Sequence, residues 1–380
     1  MIEPESHAKL RDEIAQRIAD DRRLLEGLRA EIAPLRSAVH RIQPRTTTSI
    51  SLVATDGGNN KIEFDPFLVQ LVRVVDSSNN EYCLEAITPT TSVGRLAAAQ
   101  FDEGRPTTAL GRMMSDLGVD SLPSLSHMIR SNDGDRPTSP TWVGVYRELV
   151  EWAILYSIVR DSDFATDTLI VFDGLLRSKV FAGELFKRYL EHMNRHIVSQ
   201  YDRHHRRIYL VGVAKHSKVL ARYRLAMAIE NVLTTEYPAY VEVPREIEER
   251  AYVWSEYARG DDRELENAEV NKFVGGKMFL VKFGRGSRDP IWPIDIFLPQ
   301  TSEAPAILGY LLADAIDGFP VPLYPRCLQK AHENAALVDF DFDILQDEIF
   351  AGVRTALGGD APVLDAFRLQ DADPSARRYG

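Results

Sequence analysis

Apolar residues recur along residues 8–43 at spacings of mostly three, four or seven: Leu10, Ile14, Ile18, Leu25, Leu28, Ile32, Leu35, Val39 and Ile42. This is the helical period, with Arg and Glu filling the positions between. Pro34 is expected to kink or divide the stretch. Such a stripe suits either an amphipathic helix packed on its own domain or a coiled-coil-like arm for self-association or a partner. From Thr48 the texture changes. SISLVATDGGNNK reads as a buried strand over Ser49–Thr55 closed by a Gly/Asn turn. FLVQLVRVVDSSNNEYCLEAITP reads as two further strands joined by a hairpin turn at Asp76–Asn80. Together they predict a three-stranded antiparallel meander.

Helices are predicted near Val93–Ala99 and Thr107–Leu117, followed by a polar loop over Ser131–Thr141. A strong helix, Trp142–Val159, leads into a short apolar strand, Thr168–Phe172. A helix over 178–200, a strand Arg207–Val213 and a helix Ser217–Ile229 follow. Strands alternating with helices predict parallel pairing through crossover connections. A meander feeding parallel strands is the ribonuclease H-like topology, so the expected class is α/β with a mixed sheet flanked by helices. Residues 230–271 give no clear pattern. Two more strands, Lys277–Phe283 and Ile291–Phe297, precede a helix over Glu303–Ala315 and a Pro-rich turn that opens a last helix. Beyond Asp339 the chain turns acidic, and its end, DADPSARRYG, is expected to fray. The expected division is a helical arm (1–45), a central domain with insertions (46–338) and an acidic C-terminal segment (339–380).

Composition narrows the class. No run of about 18 apolar residues offers a membrane span, and the polar N-terminus does not resemble a secretory signal. Two distant cysteines, Cys83 and Cys327, exclude a disulfide scaffold and suit a reducing cytoplasm. The formal net charge of -11 argues at first against a nucleic-acid binder. Its distribution does not. Residues 203–224 hold seven Lys/Arg and no acid, and residues 277–288 hold four more without an acid. Lys215, Lys218, Arg222, Arg285 and Arg288 lie in these stretches and suit phosphate contacts, although such runs are commonly plain solvated faces.

Candidate chemistry centres on an acid closing each of two core strands, Asp56 after SLVAT and Asp173 after LIVF. Each is followed by Gly. Carboxylates brought together at neighbouring strand ends repel unless a cation lies between them, and hard oxygen ligands favour Mg²⁺ or Mn²⁺. Asp-Gly is also a common turn dipeptide. Glu148 and Glu151 share a face of the preceding helix, and either is a candidate third carboxylate, or a solvated surface acid. Lys215, at the end of the next strand, is placed to meet a phosphate. His332 is a candidate late ligand or proton carrier, and equally a structural histidine. No phosphate-binding glycine loop and no Ser or Cys nucleophile signature is present.

The ordered pieces SLVATDGGNN, LIVFDGLLRS, IYLVGVAKHSKVLARY and PVPLYPRCLQKAHENAAL resemble the NurA nuclease family. The match runs from about residue 48 to 338. The family pattern has Asp-Gly-Ser after both acidic strands, whereas this chain has Asp56-Gly57-Gly58 and Asp173-Gly174-Leu175. The acids survive, and any role of the serines does not carry over. The resemblance implies a Mn²⁺- or Mg²⁺-dependent deoxyribonuclease with one or two ions. Asp56, Glu151, Asp173 and His332 are its implied metal ligands, and Lys215 joins them as a catalytic residue. Glu151 is preferred to Glu148 because LVEWAIL matches the family's Glu followed by apolar residues. The expected DNA contacts are Arg177, Lys215, Lys218, Arg222, Arg285 and Arg288. The resemblance further implies a homodimer and a partner, the HerA-like hexameric DNA-translocating ATPase, in end processing, repair or defence against foreign DNA. The competing expectation is a catalytically silent ribonuclease H-like adaptor that assembles on a ring ATPase.

Overall fold

The computed structural model describes residues 3–45, 50–64, 67–130, 141–252, 272–336 and 339–358, with the backbone alone for 4, 5, 50–64, 67, 68, 339–343 and 346. The expected loop at 131–140 and the frayed end lie outside the described residues, as does 253–271 within the stretch that gave no pattern.

Two helices open the chain, α1 (Pro4–Asp20) and α2 (Arg22–Ile32), followed by a 3-10 turn and the short strand β1 (His40–Arg41). The break falls at Asp21. Pro34 opens the 3-10 turn instead of dividing a helix, because proline is tolerated where no amide hydrogen bond is needed. Strands β2 (Ile50–Phe64), β3 (Phe67–Asp76) and β4 (Glu81–Ile87) form the expected meander. Next come α3 (Val93–Ala98), a two-residue ribbon β5 (Phe101–Asp102) and β6 (Arg105–Pro106), then α4 (Ala109–Leu117) and α5 (Leu122–Leu125). The long helix α6 (Thr141–Asp161) leads into β7 (Asp167–Asp173), α7 (Leu185–His204), β8 (Ile208–Val213) and α8 (Lys218–Ile229). The patternless segment supplies β9 (Ala239–Glu242) and α9 (Arg245–Ala251). The chain then forms β10 (Gly276–Lys282), β11 (Ile291–Phe297), α10 (Ala304–Ile316), α11 (Arg326–Ala335) and α12 (Asp339–Leu357).

Among the described residues the main sheet has nine strands in the order β1-β9-β10-β11-β8-β7-β2-β3-β4. Strands β2, β7 and β8 are parallel, and their neighbours on both sides are antiparallel. The half running β4-β3-β2-β7-β8 is the ribonuclease H-like order, with β11, β10, β9 and β1 widening it on the other side.

Alternation along β7 and β8 explains why both are buried on two faces. Leu169, Val171, Val211 and Val213 meet α10 through Ile307, Leu308 and Leu311. Ile170, Phe172, Ile208 and Leu210 point to the opposite layer, where Trp152 of α6 stacks on Phe172 at 4.6 Å between ring centroids. A side chain every second residue on each face produces this split, and it makes the strands read as continuous apolar runs. α6 is buried nearly all round, since α4, α7 and the sheet enclose it.

One turn differs from its expectation. Gly57-Gly58-Asn59-Asn60 does not turn. β2 continues through it, paired residue by residue with β3 from Thr55↔Asp76 to Phe64↔Phe67. Turn-forming residues lose to a ten-residue apolar partner strand that satisfies the same backbone groups.

Candidate active site at the carboxyl end of the parallel strands

Asp173 is the last residue of β7, in register with Val213 of β8. On the other side β2 pairs with β7 up to Thr55↔Phe172, so Asp56 is the next residue along β2 beyond that pair. The register therefore carries the two acids to the same end of adjacent parallel strands. The side chain of Asp56 lies outside the described atoms. Asp56 is not the end of its strand, as the sequence suggested, but the point where β2 runs past the end of β7.

The Asp173 carboxylate is 21% exposed and lies 3.6 Å from Lys215 Nζ, whose side chain is 46% exposed. Lys215 reaches this position because β8 ends at Val213 and the chain passes straight on toward α8. Tyr324, in the turn before α11, donates its hydroxyl to Asp173 Oδ1 at 3.3 Å. Lys215 Nζ also sits 5.9 Å from the centre of the Tyr324 ring. Trp292 packs against Tyr324 at 4.8 Å and donates Nε1–H to the carbonyl of Leu323 at 2.6 Å. The sequence singled out Asp173 and Lys215 as candidates, and the structure adds Tyr324 and Trp292 beside them. The only signal for Tyr324 was its place in the Pro-rich turn.

The turn after Asp173 is set by glycines. Gly174 has φ of +135°, a conformation that side chains rarely adopt. Gly212 of β8 faces this turn, and a Cβ there would overlap the Gly174 carbonyl and lie 2.9 Å from Leu176 N. Gly212→Ala is therefore expected to lower stability by about 1–3 kcal/mol, because the neighbour in conflict is backbone and not a flexible side chain. Thermal unfolding checks this, and an unchanged midpoint would show that the turn yields freely.

Glu148 and Glu151 take different partners. Glu148 Oε1 accepts from Ser178 Oγ at 2.7 Å and faces a cleft of about 820 Å³ lined also by Gly174, His216, Lys218 and Tyr252. Glu151 pairs with Arg147 Nε at 3.4 Å one turn back along α6. His332 is exposed on α11, the helix that lies across β2 and β3. Arg73 and Asn334 fasten that helix to β3, with Arg73 Nη1 donating to Asn334 O at 2.8 Å and Asn334 Nδ2 to Asp76 O at 3.1 Å. Among the described residues no three His, Cys, Asp or Glu side chains come together as a ready metal site.

The basic stretches divide between the two ends of the sheet. Lys215, Lys218 and Arg222 lie at or after the carboxyl end of β8, and Lys218 and Arg222 are exposed one turn apart on α8. The β10–β11 hairpin carries exposed Arg285 and Arg288 to the same end, since Ala214 N donates to Pro293 O at 3.1 Å beside Asp173. Lys282 is buried beneath this hairpin, its ammonium donating to Gly286 O at 2.9 Å and to Thr235 O. Arg203, Arg206 and Arg207 lie at the opposite end, where β8 begins, so this part of the first basic stretch does not join the site.

Arg177 corrects an expectation. Its side chain is 10% exposed and is enclosed by acids. Nε and Nη2 donate to Asp295 at 2.8 and 2.9 Å, and Nη1 donates to Glu248 at 2.7 Å. A guanidinium held by two carboxylates in this way is a structural clamp, not a phosphate contact. It joins the turn after β7 to β11 and α9.

No protein-family model matches the chain, and a comparison with curated proteins found no match. Solved structures do match. The crystal structure of the NurA nuclease from Sulfolobus solfataricus has 14% sequence identity, covers 95% of this chain and 98% of its own, and superposes with a TM-score of 0.43. A second NurA crystal structure has 13% identity, covers 93% and 98%, and gives 0.45. One described as NurA bound to dAMP and manganese has 12% identity, covers 86% and 93%, and gives 0.40. The chain is similar to NurA structures. Identity and superposition are both low, and the fold is assigned on strand order and register alone.

Proposed function

We propose that this chain is a metal-dependent deoxyribonuclease that hydrolyses phosphodiester bonds at the Asp173 end of the sheet. The observation that carries the reading is Asp173 in contact with Lys215, with Asp56 following the last β2–β7 register pair. Two carboxylates in such positions supply hard oxygen donors, which suit Mn²⁺ or Mg²⁺. In this reading Asp56, Asp173, Glu151 and His332 are the donor set. Glu148 accepts from Ser178 and Trp152, and Glu151 pairs with Arg147, so the preference for Glu151 as the helix acid rests on the family resemblance. A bound ion supplies polarisation of a phosphoryl oxygen and an activated water. The residues of the chain do the rest. Lys215 is exposed enough to exchange Asp173 for a phosphate oxygen and steady the charge that builds there. Tyr324 holds Asp173 in orientation. Lys218, Arg222, Arg285 and Arg288 contact neighbouring phosphates without reading bases.

The reading extends to a homodimer working with a HerA-like hexameric ATPase in DNA end processing, repair or defence against foreign DNA. The test is digestion of end-labelled DNA by the purified protein in Mn²⁺, with an EDTA control, alone and with the ATPase. Cleavage lost on chelation supports the reading. Intact DNA under every condition, together with no acid-dependent Mn²⁺ uptake by calorimetry, favours the silent adaptor. Lys215→Ala is expected to lower turnover about 10- to 100-fold while Mn²⁺ affinity stays within about threefold, as befits a group that stabilises transition-state charge. Turnover equal to wild type would remove Lys215 from the site.

A further inference from the structure

Phe319 is 82% exposed, the most exposed large apolar side chain among the described residues, and Ile316 and Val321 beside it are exposed at 56% and 44%. An apolar patch on a mobile loop would mean little, but this loop, residues 317–325, is fastened at several points. The buried Gln329 accepts from Val321 N at 2.7 Å and donates to Val321 O and Tyr324 O, both at 2.9 Å. Gly318 N donates to Ala315 O at 3.1 Å, and Trp292 holds Leu323 O at 2.6 Å. Gly318 lies directly against the Tyr324 carbonyl, with Gln329 Nε2 3.0 Å from where its Cβ would stand. The residue before Phe319 thus touches the residue whose hydroxyl meets Asp173.

The loop itself carries the exposed acid Asp317, and the elements on either side of it carry exposed cations. Leu323 lies against Gly284, 2.6 Å from where a Cβ would stand, so the loop is packed on the hairpin that carries Arg285 and Arg288. Arg326 and Lys330 are exposed on α11 immediately after the loop. An exposed aromatic ring on a fastened loop, between elements that carry exposed guanidinium groups, matches the way proteins bind single-stranded nucleic acid. Every base has a face to stack on, and the cations follow the backbone.

We propose that Phe319 stacks on an unpaired nucleobase of the substrate strand next to the cleaved bond, with Arg285, Arg288 and Arg326 on the flanking phosphates. The proposal rests on the nuclease reading above and adds to it a preference for an unpaired end. It commits the patch to DNA and not to a partner protein. The continuity of loop, Tyr324 and Asp173 and the cations on both sides argue for that occupant.

The test measures binding of the full-length protein, in EDTA, to a labelled single-stranded oligonucleotide in which each base in turn is replaced by an abasic unit. For the wild type, one position is expected to weaken binding about fivefold or more when its base is removed. Phe319→Ala should weaken binding of the intact strand by a similar factor and erase the penalty at that position. Phe319→Trp should restore both. Because the ring is exposed, neither change should shift thermal unfolding. If the wild type cuts and binds DNA while Phe319→Ala binds the intact strand equally well, the stacking proposal is wrong and the nuclease reading stands. If that variant binds DNA normally but loses self-association or ATPase association in sedimentation, the patch is a protein interface and the proposal is again wrong. A wild type that neither binds nor cuts DNA overturns both.

Discussion

Asp173→Asn is expected to abolish the proposed Mn²⁺-dependent DNA cleavage, by at least about a thousandfold or about 4 kcal/mol of transition-state stabilisation. The amide keeps the shape of the carboxylate and an oxygen for the Tyr324 hydroxyl, so the fold is expected to survive. What it removes is the negative charge facing Lys215 and the proposed ion. Asp56→Asn should act alike, because the register sets the two acids at the same end of neighbouring strands. The decisive measurement pairs a turnover assay with calorimetric Mn²⁺ titration and a circular dichroism spectrum. Either variant cutting DNA at wild-type rate with its fold intact would end the assignment of that acid.

Arg177→Met unfolds the protein far more readily than any change at the proposed site. Asp295 and Glu248 are both fully buried, and both pair with this guanidinium. Removing one partner of a buried ionic cluster leaves uncompensated charge behind and costs about 3–5 kcal/mol. The deficit should depend on pH with a definite sign. Burial raises Asp295 above the ordinary carboxylate range, and Arg177 pulls it back. Without Arg177 the folded chain holds a proton on Asp295 more tightly than the unfolded chain does. Stability is then gained as pH falls, so the deficit is largest at neutral pH and shrinks toward the unfolded carboxylate value near about 3.9. Urea midpoints across that range check the prediction. A loss under about 1 kcal/mol at pH 7 would mean that the acids find other partners.

Much of the central sheet was legible because burial on two faces leaves a plain mark. The apolar run 168–172 and the run 207–213 became β7 and β8 within a residue, and the acid at the end of β7 stood where the run stopped. What escaped was what depends on distant partners. Gly57 to Asn60 carry every local signal of a turn, and only β3 keeps them extended. Arg177 follows Asp173 closely enough to look like a phosphate contact, but its acids lie 118 and 71 residues further on. No spacing rule pairs them. Tyr324 was unreadable for the same reason, and so was Ser178, whose partner Glu148 lies 30 residues before it. The basic stretch from 203 to 224 looked continuous because sequence does not record that β8 runs through the sheet in its middle. Three of its arginines end at one end of the strand, and Lys215 and Lys218 at the other.

The contact between Tyr324 and Asp173 spans 151 residues. A chain leaving the ribosome therefore carries β2, β7 and β8 long before it can complete the pocket around their acids. The hydroxyl that meets Asp173, and the helix after it, follow long after β8 is complete. A chain stalled before Tyr324 would hold the two strand acids without the hydroxyl that meets Asp173.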